Sequence, residues 1–159
     1  MAVHISEAES RARRAVTDGI EAALQIIGTE LQARAVDLCP SRTGRLASSI
    51  TYATGKAHST PRPPAKPEDG IDARMVDPGE LVVGTRVEYA GFVEFGTGPH
   101  IIRPRDKKAL WWEGAAHPVS EVHHPGTPAD PFFRQAVAQT RGTIGRLLKQ
   151  CLVEELGRY

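Results

Sequence analysis

An apolar repeat near the start of the chain constrains the fold more than any other feature. From Ser6 to Leu38, apolar side chains recur every three or four residues, which places them along one side of a helix. Ser6 and Glu9 have the spacing of a capping box, and Pro40 disfavours helical geometry at the residue before it. The pattern predicts one long helix, with a stripe formed by Val16, Ile20, Leu24, Ile27, Leu31, Ala35 and Leu38.

Two glycines inside this predicted helix indicate close packing. Gly19 and Gly28 each lower helix propensity by about 1 kcal/mol relative to alanine. We therefore expect a neighbouring backbone to approach the helix closely at these positions.

A second helix is predicted near the other end of the chain. Asp130 is a good N-cap acceptor, and Pro131 suits the first helical turn. The two helices are expected to cover one sheet or each other. The apolar side of the second helix runs to Leu156 through Phe133, Val137, Thr140, Ile144, Leu147, Leu148, Cys151 and Leu152.

Strand signals lie between the two helices. Residues 50–54 alternate apolar and small polar side chains, and the turn sequence Asp77-Pro78-Gly79 precedes the apolar run 81–84, which predicts a hairpin around that turn. A second pair of strands is predicted at residues 100–104 and 109–112. The expected fold class is α+β, with a small antiparallel sheet packed against the N-terminal and C-terminal helices and a long flexible loop.

Length and composition indicate how the chain is organised. A chain of 159 residues is expected to form a single domain, residues 1–159. Residues 55–70 are rich in proline and show no apolar repeat, so we expect a flexible arm within that domain.

The net charge and the length of the apolar runs limit the kinds of partner that the chain can be expected to bind. With 20 Lys and Arg against 19 Asp and Glu, the net charge of +1 argues against a dedicated nucleic-acid binder. No apolar run is long enough to span a bilayer, and the first residues lack the pattern of an export signal. We expect a protein made in the cytoplasm, without a membrane partner.

Catalytic and metal signatures are not found in the sequence. His117, His123 and His124 lack the spacing of zinc ligands on one helix face, since two of them are adjacent. No nucleophile-elbow or phosphate-loop sequence occurs. The sequence predicts no enzyme activity, no cofactor and no metal.

A cluster of cations beside two tryptophans has two interpretations. Trp111 and Trp112 follow the charged turn 105–108. The favoured interpretation is a solvated hairpin tip that a tryptophan anchors to the core; the alternative is a protein or nucleic-acid contact, to which Arg62 and Lys66 would add charge. The cations of the cluster are Arg103, Arg105, Lys107 and Lys108.

The order of several short motifs resembles a known family. The chain reads P-x-x-TG-x-L-x-x-SI after the first predicted helix, then VG, then YA-x-x-VEFGT, then PF at the second helix. This order resembles the phage tail-completion or minor tail-component family of long-tailed phages, from about Leu31 to Val137. The residues that carry it include Thr43, Gly44, Leu46, Ile50, Gly84, Tyr89, Phe95, Gly96, Thr97, Pro131 and Phe132.

The resemblance implies a structural virion protein. It implies a homo-oligomeric ring, a hexamer, at the top of the tail tube in the phage neck, assembled in the host cytoplasm. Tail-tube protein and head–tail adaptor or stopper proteins would be its partners, and DNA would only pass through. We expect Tyr89, Val93 and Phe95 to pack, and Glu94 to cap a backbone locally or to reach Arg42 or Arg45 of a neighbouring subunit.

Overall fold

The structure, a computed structural model, describes residues 6–40 and 43–158. Its contacts divide them into two compact units. The first comprises the described residues up to 90 and those from 132 onward; the second comprises residues 91–131. The prediction that residues 1–159 act as one domain stays a prediction.

The first unit begins with the long predicted helix. Helix α1 spans Glu7–Leu38. The N–H of Glu9 donates to the Ser6 hydroxyl at 3.3 Å, and the N–H of Ser6 donates to the Glu9 carboxylate at 3.0 Å. Cys39, before Pro40, is already extended. The predicted capping box and helix end are both confirmed.

Helix α4, Phe132–Leu156, packs along α1 in the same unit. The buried line on α1 consists of small residues four apart, Ala15, Gly19 and Ala23, followed by Ile27. A Cβ added to Gly19 would lie 3.2 Å from the Leu152 Cα of α4. The backbones of the two helices therefore approach closely at Gly19, as its position in the sequence predicts.

The apolar stripes differ in detail from the predicted ones. Val16 on α1 and Val137 on α4 are exposed, whereas Phe132 and Ala136 are buried. The first part of each buried line is displaced by one residue from the prediction, whereas Ile27, Ala35, Thr140 and Cys151 are buried as predicted. On α1 the small side chains at the displaced positions allow the two helix axes to approach closely. Helix α4 begins at Phe132, one residue later than expected.

Two short strands form a sheet against α1. Strand β1, Thr51–Thr54, pairs antiparallel with strand β2, Leu81–Gly84, with Thr51 opposite Gly84. The predicted turn exists, since the N–H of Glu80 donates to the Asp77 carbonyl at 3.1 Å. It does not join the two paired strands, however, because residues 55–80 connect them. The hairpin prediction is wrong in its connection, and the α+β class is confirmed.

The second unit is a two-stranded ribbon. Strand β3, His100–Ile102, pairs antiparallel with strand β4, Val122–His124, and a bridge between Thr97 and Thr127 continues the same register. Beyond the strands, Leu110 and Val119 exchange two backbone hydrogen bonds. We call residues 97–127 the ribbon and residues 103–121 its tip loop.

The predicted pairing of residues 100–104 with 109–112 is therefore wrong. The true partner of β3 lies in a segment whose His-His-Pro-Gly sequence carries a loop signal, and its short length gives no alternation to recognise. Pro104, which has no N–H, also ends regular pairing just beyond β3.

Candidate interaction surfaces

The TG-x-L motif builds a short helix on the core. Gly44 has φ of 75°, the left-handed conformation that glycine adopts readily, and it precedes helix α2, Arg45–Ser49. Leu46 and the following Ile50 are both buried. Arg42, one of the predicted interface residues, lies outside the described residues, and Thr43 is exposed.

Arg45 has a partner within its own chain. Its guanidinium donates twice to the Asp69 carboxylate, at 2.9 and 2.7 Å, and the backbone N–H of Lys66 donates to the same carboxylate at 2.9 Å. These hydrogen bonds, the Arg45 pair first, hold the pKa of Asp69 down at about 2. A bridge from Arg45 to a neighbour's Glu94 would compete with Asp69, and that bridge stays a prediction.

The proline-rich segment, residues 55–70, contacts the rest of the unit at several points. Its backbone bonds to β1 through residues 57–59, and the N–H of Arg62 donates to the Ser48 carbonyl at 3.0 Å. The side chains of Arg62 and Lys66 are exposed, and Lys66 lies 3.9 Å from the Glu68 carboxylate. The predicted flexibility of this segment stays a prediction, which hydrogen exchange of its amides would test.

One edge of β1 is covered by this segment. The N–H of Ser59 donates to the Tyr52 carbonyl at 2.9 Å, and the N–H of Thr54 donates to the Ala57 carbonyl at 2.7 Å. Tyr52 and Thr54 therefore turn their backbone groups away from β2.

The outer edge of β2 is open. Backbone groups alternate in direction along a strand, so Thr51 and Ala53 are the residues that bond to β2. Leu81 and Val83, which stand opposite the other two residues of β1, turn their N–H and C=O groups outward. Within the described residues, no hydrogen bond engages these four groups. Such an edge is a template for pairing with another chain.

The YAGFVEF sequence forms a short helix whose aromatic side chains do not pack as predicted. Helix α3 spans Ala90–Phe95, and Phe95 is 69% exposed while Tyr89 and Phe92 are also exposed. Glu94, instead, is buried. The helical period of α3 places Glu94 on the buried side and leaves Phe92 and Phe95, three residues apart, exposed.

The glycine and the threonine that follow α3 fix the base of the ribbon. Gly96 has φ of 72°, and a Cβ there would lie 2.6 Å from the Thr127 carbonyl oxygen. The N–H of Thr97 donates to that carbonyl at 2.9 Å. Only glycine fits this close approach without moving the backbone. At the same end of the unit, the N–H of Asp130 donates to the Val93 carbonyl at 2.9 Å.

The tryptophans of the tip loop are exposed, so the predicted anchoring to the core is wrong. Trp111 is 66% and Trp112 50% exposed. Bridge pairing in this loop is confined to Leu110 and Val119, and both indole rings lie largely on the surface.

The tip cations have different surroundings. Arg103 pairs with Glu121 at 3.1 Å. Arg105, Lys107 and Lys108 are exposed, and they take part in no ion pair with any residue that the structure describes. Three cations and two indole rings therefore share one exposed loop.

The histidines lie on the ribbon. The His100 and His124 rings stack across the strands with centroids 5.0 Å apart, and they line a cleft of about 300 Å³ with neighbouring residues. His123 lies 3.2 Å from Glu121. Across residues 6–40 and 43–158, no group of three or more potential ligands is arranged to hold a metal ion.

The closing PF motif serves the core. Pro131 ends the second unit, and Phe132 is buried in the first, with its ring edge-on to that of Phe133 at 6.4 Å. Gly84 ends β2 opposite Thr51.

In the part of the chain described, no helix is both long and apolar enough to cross a bilayer.

Sequence reasoning missed two features of these surfaces. Asp69 was not recognised as the partner of Arg45, since the two lie far apart along the chain. The outward groups of Leu81 and Val83 depend on the true partner of β2, which the hairpin prediction misplaced. The apolar run Leu81-Val82-Val83 is the signal that marks a strand there.

Comparison with known proteins identifies a family whose model matches the chain. A family model, HK97-gp10_like, with the description "Bacteriophage HK97-gp10, putative tail-component", matches residues 3–96, more than half of the chain. The match ends at Gly96, so it includes the TG-x-L motif, both strands of the first unit and α3. No curated protein and no solved structure matches.

Proposed function

The chain belongs to the HK97-gp10-like family of bacteriophage tail components, and on that premise we propose that it joins head and tail. Copies of the chain close into a ring, a hexamer, at the top of the tail tube, in the manner of a tail terminator. The protein is part of the virion neck, and DNA passes through the ring without being bound in a sequence-specific way. Its neighbours are tail-tube protein and the head–tail adaptor or stopper proteins.

The open edge of β2 is the observation that carries this proposal. Leu81 and Val83 present two N–H and two C=O groups in line, inside the region that the family model matches. A strand from the next copy completes these hydrogen bonds, and a head-to-tail contact of this kind closes into a ring when the rotation between copies allows it. The role is geometric, and it requires no catalytic group.

A proline substitution tests the edge. In Val83→Pro, the outward N–H is lost while the bonds to β1 remain, because an edge strand tolerates proline on its open side. We expect rings of the wild-type chain, alone or with tail-tube protein, to be visible by electron microscopy and light scattering. Val83→Pro should stay monomeric with unchanged circular dichroism.

A matched variant controls for loss of the valine side chain. Val83→Thr keeps the N–H and the branched shape, so it should form rings as the wild type does. If Val83→Pro assembles as readily as Val83→Thr, the β2 edge is not the interface. If the wild-type chain forms no ring with tail-tube protein, the joining role itself is refuted.

The second candidate function is nucleic-acid binding through Arg103, Arg105, Lys107 and Lys108. The exposed Trp111 and Trp112 favour it, since indole rings stack on unpaired bases. The net charge of +1 gives it little support from the rest of the chain. A mobility shift with oligonucleotides at low ionic strength that falls steeply with salt would support this function.

A further inference from the structure

The tip loop carries an apolar and basic surface that no contact in its own unit explains. Trp111 and Trp112 are 66% and 50% exposed, beside the exposed Arg105, Lys107 and Lys108. Asp106 and Glu113 offset part of this charge. Aromatic side chains with neighbouring cations are typical of the anchors at protein–protein interfaces. The whole tip loop lies beyond the region matched by the family model, which ends at residue 96.

The last turn of α4 carries a surface of complementary character. Val153 and Leu156, three residues apart on one side of the helix, are 61% and 49% exposed. Glu154 is exposed beside them, the Glu155 side chain is 16% exposed and pairs with Arg158, and no basic residue lies in that turn. The turn is therefore apolar and acidic, where the tip loop is apolar and basic.

The two carboxylates stand at an unfavourable end of the helix. The C-terminus of a helix carries partial negative charge, so the exposed carboxylate of Glu154 and the partly buried one of Glu155 both lie in an unfavourable potential. The two carboxylates also act on a nearby thiol. Burial is the main cause that raises the pKa of Cys151, and the negative charges of Glu154 and Glu155 raise it further. Within the described residues, Arg158 pairs with Glu155 and Gln150 donates to Glu154. Further positive charge placed against this turn would lower its energy.

We propose that the tip loop of one copy docks on the last turn of α4 in a second copy. The indole rings of Trp111 and Trp112 cover Val153 and Leu156, and the tip cations face Glu154 and Glu155. The proposal rests on the self-assembly proposed above and adds a second contact to it. Two indole rings bury a few hundred Å² at most, so this contact strengthens an assembly that the β2 edge holds rather than replacing that edge.

Reversing the charges on each side tests the contact. In the tip variant, Lys107→Glu with Lys108→Glu, an acidic tip meets an acidic turn; in the turn variant, Glu154→Lys with Glu155→Lys, both surfaces are basic. Each variant alone should associate at least about tenfold more weakly than wild type at low salt, because like charges oppose each other. An equimolar mixture should regain wild-type association, since each tip then meets an opposite charge.

The tryptophans report the contact directly, because Trp111 and Trp112 are the only two in the chain. We expect the emission maximum of the wild type to move to shorter wavelength as concentration rises. Either variant alone should lose this shift, and the mixture should regain it. Arg11→Glu with Arg14→Glu makes the same charge change on exposed residues of α1 and should behave as wild type.

The outcomes separate this contact from the ring. If wild-type rings form without a change in tryptophan emission, or if the mixture fails to regain association, the tip-to-α4 contact is refuted and the β2 interface survives. A shift that appears only on adding an oligonucleotide also refutes it. A wild-type chain that never associates refutes both.

Discussion

At the scale of single residues, Gly28 allows α1 to approach the sheet closely, because it has no side chain. A Cβ there would lie 2.8 Å from both the Tyr52 ring and the Leu81 side chain. We expect Gly28→Ala to lower the free energy of unfolding by about 1 kcal/mol, because overpacking of about 1–3 kcal/mol outweighs the gain of about 1 kcal/mol in helix propensity. Urea denaturation measures the difference.

Gly142 on α4 is the matched control for this substitution. A Cβ added there meets no atom within 4 Å, and the residue is exposed. Gly142→Ala should raise the free energy of unfolding by up to about 1 kcal/mol, since only helix propensity changes. Equal effects of the two alanine variants would contradict the packing at Gly28.

The carboxylate of Asp69 makes the free energy of unfolding depend on pH. Its pKa is lowered to about 2 by the Arg45 guanidinium and then by the Lys66 N–H, whereas an unfolded aspartate titrates near 3.9. A folded pKa below the unfolded value contributes stability above about pH 4, and this contribution is lost as the pH falls towards 2. Asp69→Asn should therefore be less stable than wild type at pH 7, and the difference should shrink towards pH 2.

Urea midpoints between pH 7 and pH 2 check this prediction. Asp106→Asn removes an exposed carboxylate of the tip loop and should leave the midpoint unchanged at each pH, because surface charges contribute little. A constant gap between Asp69→Asn and wild type across the whole range would show that titration of this carboxylate does not matter.

At the scale of elements, the packing of α1 on α4 protects Cys151. The thiol is buried, and burial together with Glu154 and Glu155 raises its pKa, so little reactive thiolate is present at neutral pH. In a Cys39→Ala background, Ellman's reagent should react with Cys151 at least about a hundredfold more slowly in the folded protein than in urea, because the helices must separate first. Reaction at the rate of the unfolded chain would contradict the buried helix pair.

The long elements could be predicted from the sequence and the short ones could not. The capping box and the repeat to Leu38 define α1 through local spacing alone. The partner of β2 and the partner of β3 depend on contacts distant in sequence, and strands of three or four residues carry too little alternation to specify them. Tyr89 and Phe95 were expected inside on hydrophobicity alone, but the helical period of α3 places Glu94 inside instead.

The residues of the candidate surfaces also divide into those that local sequence predicts and those that depend on the whole fold. Gly44 is predictable because a left-handed turn favours glycine whatever surrounds it. The open groups of Leu81 and Val83 and the exposed Trp111 and Trp112 are not, since exposure is a property of the whole fold and not of a motif.

At the scale of the whole molecule, the second unit is an insertion in the sequence of the first. The N-terminal part of the first unit ends at Ala90 and resumes at Phe132. A cut in the tip loop therefore separates α1 and the β1–β2 sheet from α4 in the chain, but not in space, because α1 and α4 pack along each other.

Limited trypsin digestion tests this arrangement. Arg105, Lys107 and Lys108 are exposed in a loop with one backbone bridge, whereas Arg103, Arg62 and Lys66 precede proline and resist trypsin. We expect an early cut at residues 105–108 that yields two fragments by denaturing electrophoresis but one species by native mass spectrometry. The helix pair should hold them together, with the far-ultraviolet circular dichroism nearly unchanged. Replacing Arg105, Lys107 and Lys108 by glutamine should abolish the early cut, and fragments that separate without denaturant would refute the α1–α4 packing.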